Sequence, residues 1–342
     1  MLEDVNVEHL LNVFASIDTE AASACDVSAY FMEHLYWHKK RPVILRPKIE
    51  GLPDDHRSKP QCLFELSRLF CSIGNDMESK RLLVHTLKLW RERGDDLQVA
   101  HTLRFISNAN KTLGLNKEGI EQATESLEIY KRLDYVSGQA RSWQHLAWLL
   151  YEDEQLDAAE EAALRVIDLF SDASDQFTVC ECYNLLGRIC RSKGKTEKAI
   201  NYHEISLGIA SSSNWLDHLF WNNYNLAQLF FSEKRFYDAH THVERAKSHA
   251  INDSYRLGRA MELQAGFWYE EGRFEEAKSE ASRAVGVYEE IGAVKDMELC
   301  KTLLQNIEEK MKTADGSCKS NLNGKFLETM SLPTPFNASF SA

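Results

Sequence analysis

Three histidines and a glutamate crowd the stretch DAHTHVERAKSHA at residues 238–250. His240, His242, His249 and Glu244 are the residue types of a zinc site or an acid–base cluster. Three other stretches invite similar readings. CEC at 180–182, with Cys190 beyond it, offers thiolates for a metal. EHLYWH places His34 and His38 four residues apart. SKGKT at 192–196 ends like a phosphate-binding loop. Each becomes chemistry only if its backbone brings the groups together, so the decision falls to helix register.

On a helix, residues two apart project roughly 200° apart. This separates His240 from His242, and Cys180 from Cys182. His242 and His249 lie two turns apart, roughly 10.5 Å, while two ligands of one zinc bring their nitrogens within about 4 Å. The spacing of His34 and His38 can hold zinc on a helix, but the glutamate precedes the first histidine, so HExxH is not formed. No third ligand is suggested nearby, and packing or capping is the simpler reading. SKGKT lacks the glycine a phosphate loop needs five residues before Gly194, where Ile189 stands. The preceding NLLGRICR is helical in pattern rather than a strand. No GxSxG elbow or Gly-rich loop supports a nucleophile. Hence no catalytic, cofactor-binding or metal site is read, and the chain is expected not to be an enzyme.

What must position these residues is nearly all helix. The 342 residues carry a formal net charge of −12, with 44% apolar and 27% charged residues. That balance argues against a nucleic-acid or anionic-membrane binder. No apolar run of 18 residues suggests a membrane span, and the acidic start MLEDVNVEHLLNVF lacks signal-peptide order. Eight cysteines without CxxC read as reduced, mostly buried thiols of a cytosolic protein. Six prolines lie at 42, 47, 53, 60, 333 and 335, leaving none between 61 and 332. A Pro-free stretch without strand-like alternation predicts an all-α fold.

The helices repeat. Turn sites recur at Gly74, Gly114, Glu154, Gly194, Lys234 and Gly272, in steps of 40, 40, 40, 40 and 38. Seven residues before each stands a small side chain: Ser67, Ser107, Ala147, Gly187, Ala227 and Ala265. Five residues after stand Ser79, Gly119, Ala159, Ala199, Ala239 and Ala277. Twelve after stand Thr86, Ser126, Val166, Ser206, Ala246 and Ala284. Small stripes let two antiparallel helices approach closely, and larger apolar neighbours fill the space between units. A hairpin cannot bury its apolar faces alone, so hairpins stack. The pattern predicts about six hairpins over residues 59–292 and a capping helix over 293–312, with Val294, Met297, Leu303, Leu304 and Ile307 as its apolar stripe. A Pro-containing N-terminal helical segment (1–58) and a disordered Ser/Asn-rich tail (313–342) flank them.

At NLLGRICRSKGKTEKAINYHEISLGIA and QAGFWYEEGRFEEAKSEASRAVGVYEEIG the chain resembles tetratricopeptide repeats. The usual unit is about 34 residues; the longer unit here is similar to that of kinesin light chains and of the regulatory domains of STAND-type ATPases. LEIYKRLDYVSGQARSWQHLAWLLYEDEQLDAAEEA resembles repeats that follow NB-ARC or NACHT domains in mushroom-forming fungi. The resemblance covers about two thirds of the chain. It implies a right-handed α-solenoid that binds protein segments. Asn110, where an aromatic or aliphatic is usual, and Gly119 depart from the pattern and suggest a loose second repeat.

The resemblance also implies that the first helix of each unit lines a concave face. Carried over, the candidate groove residues are Phe64 and Arg68; Arg104, Asn108 and Lys111; Arg141, Gln144, Trp148 and Tyr151; Asn184, Arg188 and Arg191; Trp221, Tyr224, Gln228 and Phe231; and Arg259, Glu262 and Tyr269. Repeats two to four bring Arg104, Lys111, Arg141, Arg188 and Arg191 against Glu152 and Glu181, so this face is basic within an acidic chain. Repeat five adds aromatics. Arginine and aromatics dominate binding hot spots. The expected partner is an acidic, partly apolar extended protein segment of about 15 residues along roughly 50 Å. The clamp that grips chaperone C-termini is not reproduced, because after Arg104 and Asn108 its next positions are His145, Glu181 and Leu185. The implied role is a cytoplasmic scaffold, in its narrower form the sensor arm of a STAND-type protein without its ATPase. The alternative is a kinesin-light-chain-like or spindle-type adaptor; an enzyme or an RNA-binding array has no positive signal.

Overall fold

The computed structural model describes residues 46–47, 49–170, 175–250 and 253–314. The expected helical stretches within residues 1–45, the His34/His38 pair, Cys25, Cys318 and the tail from residue 315 lie outside them. Among the described residues there are thirteen complete α-helices, further helical residues at 46–47 and 49–50, and no strand. They form two compact units, with the boundary at Leu169/Phe170. In the first unit, α1 (Lys59–Ser72) pairs with α2 (Asp76–Arg93), α3 (Asp96–Thr112) with α4 (Asn116–Arg132), and α5 (Val136–Glu152) with α6 (Leu156–Leu169). In the second, α7 (Gln176–Ser192) pairs with α8 (Thr196–Ser213), α9 (Leu216–Ser232) with α10 (Phe236–His249), and α11 (Ser254–Glu270) with α12 (Phe274–Glu290). A last helix, α13 (Val294–Ala314), packs on α12. The all-α class and hairpin repeat expected from the sequence are what the structure has.

Helix starts and ends follow local chemistry. Asn75, Asp95, Asp175 and Asp253 cap α2, α3, α7 and α11, each accepting from the backbone N–H three residues on. The ends are more regular still. Gly74, Gly94, Gly114, Asp134 and Glu154 all have positive φ, as do Gly194, Asn214 and Lys234, then Gly272 and Gly292. Within each of these three runs the spacing is 20 residues. The turns between hairpins therefore use the same left-handed residue as the turns within them. At each, the next N–H bonds back to the last helical turn: Leu115 to Asn110 O at 2.8 Å, Tyr135 to Tyr130 O at 3.0 Å, Gln155 to Leu150 O at 2.8 Å. This satisfies carbonyls a helix end would orphan. Asn and Asp tolerate the conformation; Glu154 (φ 61°) and Lys234 (φ 59°) are strained by their Cβ. Glu154→Gly and Lys234→Gly are each expected to raise stability by about 0.5 kcal/mol, the relief of left-handed strain less the extra unfolded-state entropy of glycine. Urea unfolding checks this; a loss of stability in both would refute it.

All three small-residue columns are buried in every hairpin, from Ser67 to Ala265, Ser79 to Ala277 and Thr86 to Ala284. The two departures in the second hairpin are accommodated. Asn110, fully buried on α3, donates to Gln122 Oε1 of α4 at 2.7 Å. Gly119 makes room for Leu149, whose Cδ2 would lie 2.8 Å from an added Cβ. On α13 the stripe differs from expectation by one turn. Val294 is exposed, and Cys300, Leu303 and Ile307 form the buried edge, with Met297 and Leu304 partly buried beside them.

Gly187 shows how tight the columns are. An added Cβ would stand 2.6 Å from His203 Nε2, and the His203 ring is fully buried, its Nδ1 bonded to Asn222 Oδ1 at 3.1 Å. Gly208 and Gly286, also in helices, have nothing within 4 Å of that position. Gly187→Ala is expected to cost about 1–2 kcal/mol net of its gain in helix propensity, while Gly208→Ala and Gly286→Ala each stabilise by up to about 1 kcal/mol. Denaturant midpoints of the three variants test the contrast; the same sign for all would contradict it.

Candidate partner-binding groove

In the first unit the candidate residues gather on the facing sides of α1, α3 and α5. Phe64 meets Phe105 edge-on, with ring centroids 4.8 Å apart. The Arg104 guanidinium lies over the Phe105 ring at 4.6 Å, and its Nη1 is 3.4 Å from His145 Nε2. Seven residues on, the Lys111 ammonium stands 5.9 Å above Trp148, which meets Tyr151 edge-on at 6.3 Å. Cations held by aromatic faces keep their charge while shedding part of their water. Arg68 pairs with Glu65 at 3.1 Å. Asn108, Arg141 and Gln144 are half-buried on the same faces.

The charge is concentrated enough to act on its neighbours. Burial pushes the His145 imidazole well below the usual histidine range, and Arg104, Lys111 and Arg141 push it the same way. Burial first, then Arg104 and Arg141, bring His101 to about 4. Both histidines are therefore neutral at pH 7. Phe105 and His145 were not among the residues carried over as groove-lining. Their signal was available, since they stand 40 residues apart in the column that begins at Glu65.

In the second unit most candidates serve the stack instead, which corrects the expectation of an open aromatic platform. Tyr224 is fully buried, and Phe231 stacks flat on Phe267 with centroids 4.0 Å apart. The first helix of the following hairpin covers them. Arg259 and Glu262 form a buried ion pair at 3.3 Å. Asn184 donates to Asn222 Oδ1 at 2.8 Å, Arg191 donates to Gln228 Oε1, and Arg188 and Gln228 are buried. Only Trp221, Arg191 and Tyr269 of this set are half-exposed; Trp221 rests edge-on against Phe220 at 4.9 Å, and Tyr269 against Phe274 at 5.9 Å.

The histidines of α10 are spread by register, as the sequence predicts. His240 Nε2 is 2.7 Å from Glu271 Oε1, and its ring stacks on Trp268. His242 stacks on Phe230 and bonds Asn223 Oδ1 at 2.8 Å. Both are half-buried supports between neighbouring helices. Cys180, Cys182 and Cys190 are buried, with burial pushing the Cys180 thiol up to about 11 and Cys182 well above its usual range. Gly194 of SKGKT is the left-handed turn between α7 and α8. Among the described residues no group of three or more His, Cys, Asp or Glu is placed to hold a metal, and no helix is long and apolar enough to cross a membrane.

A scaffold of stacked helix hairpins is the class this geometry defines. The model of the tetratricopeptide repeat matches residues 181–211, the second half of α7 and most of α8. Among solved structures the chain is similar to a Rap protein complexed with Competence and Sporulation Factor, at 11% identity over 90% of this chain and 92% of that one, with a TM-score of 0.60. It is similar to the apo quorum sensor NprR from B. thuringiensis, at 15% identity over 89% and 87%, TM-score 0.58. It is similar to a STAND protein with a tetratricopeptide repeat sensor from Pyrococcus horikoshii, at 16% identity over 89% of this chain and 51% of that one, TM-score 0.60. No curated protein sequence matches. Residues 181–211 thus match a tetratricopeptide repeat, and the chain shares the helical-hairpin fold of these structures.

Proposed function

We propose that the chain is a non-catalytic interaction module that binds an acidic, partly apolar segment of a protein partner along its first-helix faces. One observation carries this reading: in the first unit the half-buried Arg104 rests on the half-buried Phe105, and the half-buried Lys111 stands over the buried Trp148, so cations and an aromatic edge share one face. Within the second unit, considered by itself, Arg191, Trp221 and Tyr269 are the half-exposed candidates. The likeness in fold to a Rap protein complexed with a factor, and to a quorum sensor, supports a peptide-binding role. The narrower reading is a sensor or regulatory arm of a STAND-type signalling protein in the cytosol. Its support is the fungal repeat resemblance and the fold of the Pyrococcus horikoshii sensor; a neighbouring NB-ARC or NACHT reading frame is the observation that tests it.

The binding reading is tested by selecting segments from an unphosphorylated peptide display library on the full chain. Lys111→Glu with Arg141→Glu is expected to weaken the selected segments at least about tenfold, and Arg191→Glu alone by less. Arg188 is left intact because a buried reversal would unfold the repeat. Affinity unchanged in the double variant, at unchanged melting temperature, sinks the proposal.

A further inference from the structure

We propose that residues 46–58 are an autoinhibitory end cap: they occupy the flank of α2 that suits the second helix of another hairpin, and so keep a second copy of this chain from stacking there. The inference concerns the second helices and does not depend on the partner-binding reading above.

The register of the second helices shows what that flank is for. Second helices of neighbouring hairpins meet side by side. Lys80 and Arg91 of α2 reach Glu118 and Glu125 of α4 at 2.8 and 2.5 Å. Lys247 of α10 reaches Glu280 of α12 at 2.7 Å. Glu118 and Glu125 lie 4 and 11 residues after the turn site Gly114, and Glu280 lies 8 after Gly272. On α2 the same positions after Gly74 are Glu78, Leu82 and His85. Among the described residues no hairpin precedes α1. The strap of residues 46–58 lies there instead. Its Arg46 pairs with Glu78 at 3.2 Å, its Glu50 with Arg81, and its Asp54 with His85 at 3.4 Å. Leu82 is fully buried, and Leu89, two turns on along the same side, is 1% exposed.

Two cations hold the strap by its backbone. Arg93, the last residue of α2, donates to the carbonyls of Asp54, His56 and Arg57 at 3.2, 2.8 and 2.6 Å. Lys59 opens α1 and is 3% exposed. It donates to Asp54 Oδ1 at 2.7 Å, to Glu50 O at 3.2 Å and to Leu52 O. A cation is disfavoured at a helix N-terminus, and its burial here is offset by three acceptors that replace water. A helix in this place would satisfy its carbonyls internally; the strap relies on Arg93 and Lys59 for five of its own. So few catches make its opening a local event. The flank beneath offers two leucines rimmed by Arg81, His85 and Arg93. This chain's own second helices suit it, because they fill the equivalent flanks of α4 and α12. An uncapped end of a repeat array takes on further units, and such a head-to-tail contact does not close on itself.

The test uses the full chain. Arg93→Gln, alone and with Lys59→Met, is compared with Arg91→Gln, which touches the opposite flank of α2. Amide hydrogen exchange over residues 49–58 is expected to quicken at least about tenfold in Arg93→Gln and to stay unchanged in Arg91→Gln, with α9 to α12 unaffected in both. Light scattering is expected to show the double variant assembling, with rising concentration, into species larger than those of wild type. Excess free peptide RPKIEGLPDDHRS should reverse that assembly. Arg93→Lys, whose ammonium replaces the fork only in part, should give intermediate readings and decides the matter where the double variant loses helix. Unchanged exchange over 49–58 in Arg93→Gln overturns the proposal. So does a freely exchanging strap with the wild-type assembly state at every concentration, or assembly that the peptide fails to reverse.

Discussion

Arg259→Gln is expected to lower the stability of the second unit by about 3–5 kcal/mol, enough to drop its melting temperature by on the order of 10 °C. Arg259 and Glu262 are both buried, one turn apart on α11. Arg259 Nη1 donates to Glu262 at 3.3 Å, lies 3.6 Å from Asp296 of α13, and its Nη2 reaches the Tyr224 hydroxyl of α9 at 3.5 Å. Tyr288 of α12 donates to the same Glu262 oxygen at 2.9 Å. One polar cluster thus ties four helices together. Burial pushes the Glu262 carboxyl up, and Arg259 is the largest influence holding it down. Without the guanidinium the carboxylate is stranded. Arg259→Met with Glu262→Met should recover most of the loss, since an apolar pair of similar volume leaves no buried charge. The difference between wild type and Arg259→Gln should also narrow from pH 7 to pH 5, as the stranded carboxyl takes up a proton in the native state. A single variant within 1 kcal/mol of wild type would show that the cluster is solvated. Urea titration at the two pH values measures all three outcomes.

The second large effect is expected with acid. Burial brings His101, His203, His218 and His242 to about 4 and His145 well below its usual range. These groups are neutral in the folded protein and bind protons near 6.5 once unfolded. Each depressed value contributes stability that is complete above about pH 6.5 and is lost as pH falls toward 4, because there the unfolded chain holds more protons. For the fully buried His203 that loss amounts to roughly 3 kcal/mol, and the half-exposed His242 contributes less. Unfolding free energy is therefore expected to be flat above pH 7 and to fall by several kcal/mol between pH 6.5 and 4.5. His203→Asn should flatten part of that slope at some cost in packing at pH 7. A profile unchanged from pH 7 to 5 would mean that the rings are hydrated.

The repeat was legible because its small residues answer to hard packing limits. A glycine such as Gly187 is needed where a histidine ring leaves no space, and such needs recur at fixed intervals in the chain. Half of the turn pattern was missed. Gly94, Asp134, Asn214 and Gly292 adopt the same left-handed conformation as the turn sites that were read, but Asp and Asn at two of them hid the column. The candidate face was legible in part. Periodicity identifies the face a residue lies on, so Arg104, Lys111 and Trp148 fall together as expected. It does not say how far the next first helix overlaps that face. Tyr224, Phe231, Arg259 and Glu262 occupy the expected columns and are nevertheless covered, because in the second unit bulky aromatics and a paired charge fill the space between first helices. Nor does register alone show that His240 and His242 meet a carboxylate and an amide on adjoining helices.

The left-handed residue that recurs every twenty positions within each run has a consequence for how such a chain changes length. Two of these points forty residues apart, such as Gly114 and Glu154, present matching backbone geometry. Excising or duplicating the segment between them rejoins a helix end to a helix start with every carbonyl still answered. An insertion of any other size sets all later small residues against the wrong neighbours. Whole-hairpin duplication and deletion are therefore the edits this architecture absorbs, and a family built on it diversifies by copy number before it diversifies by shape.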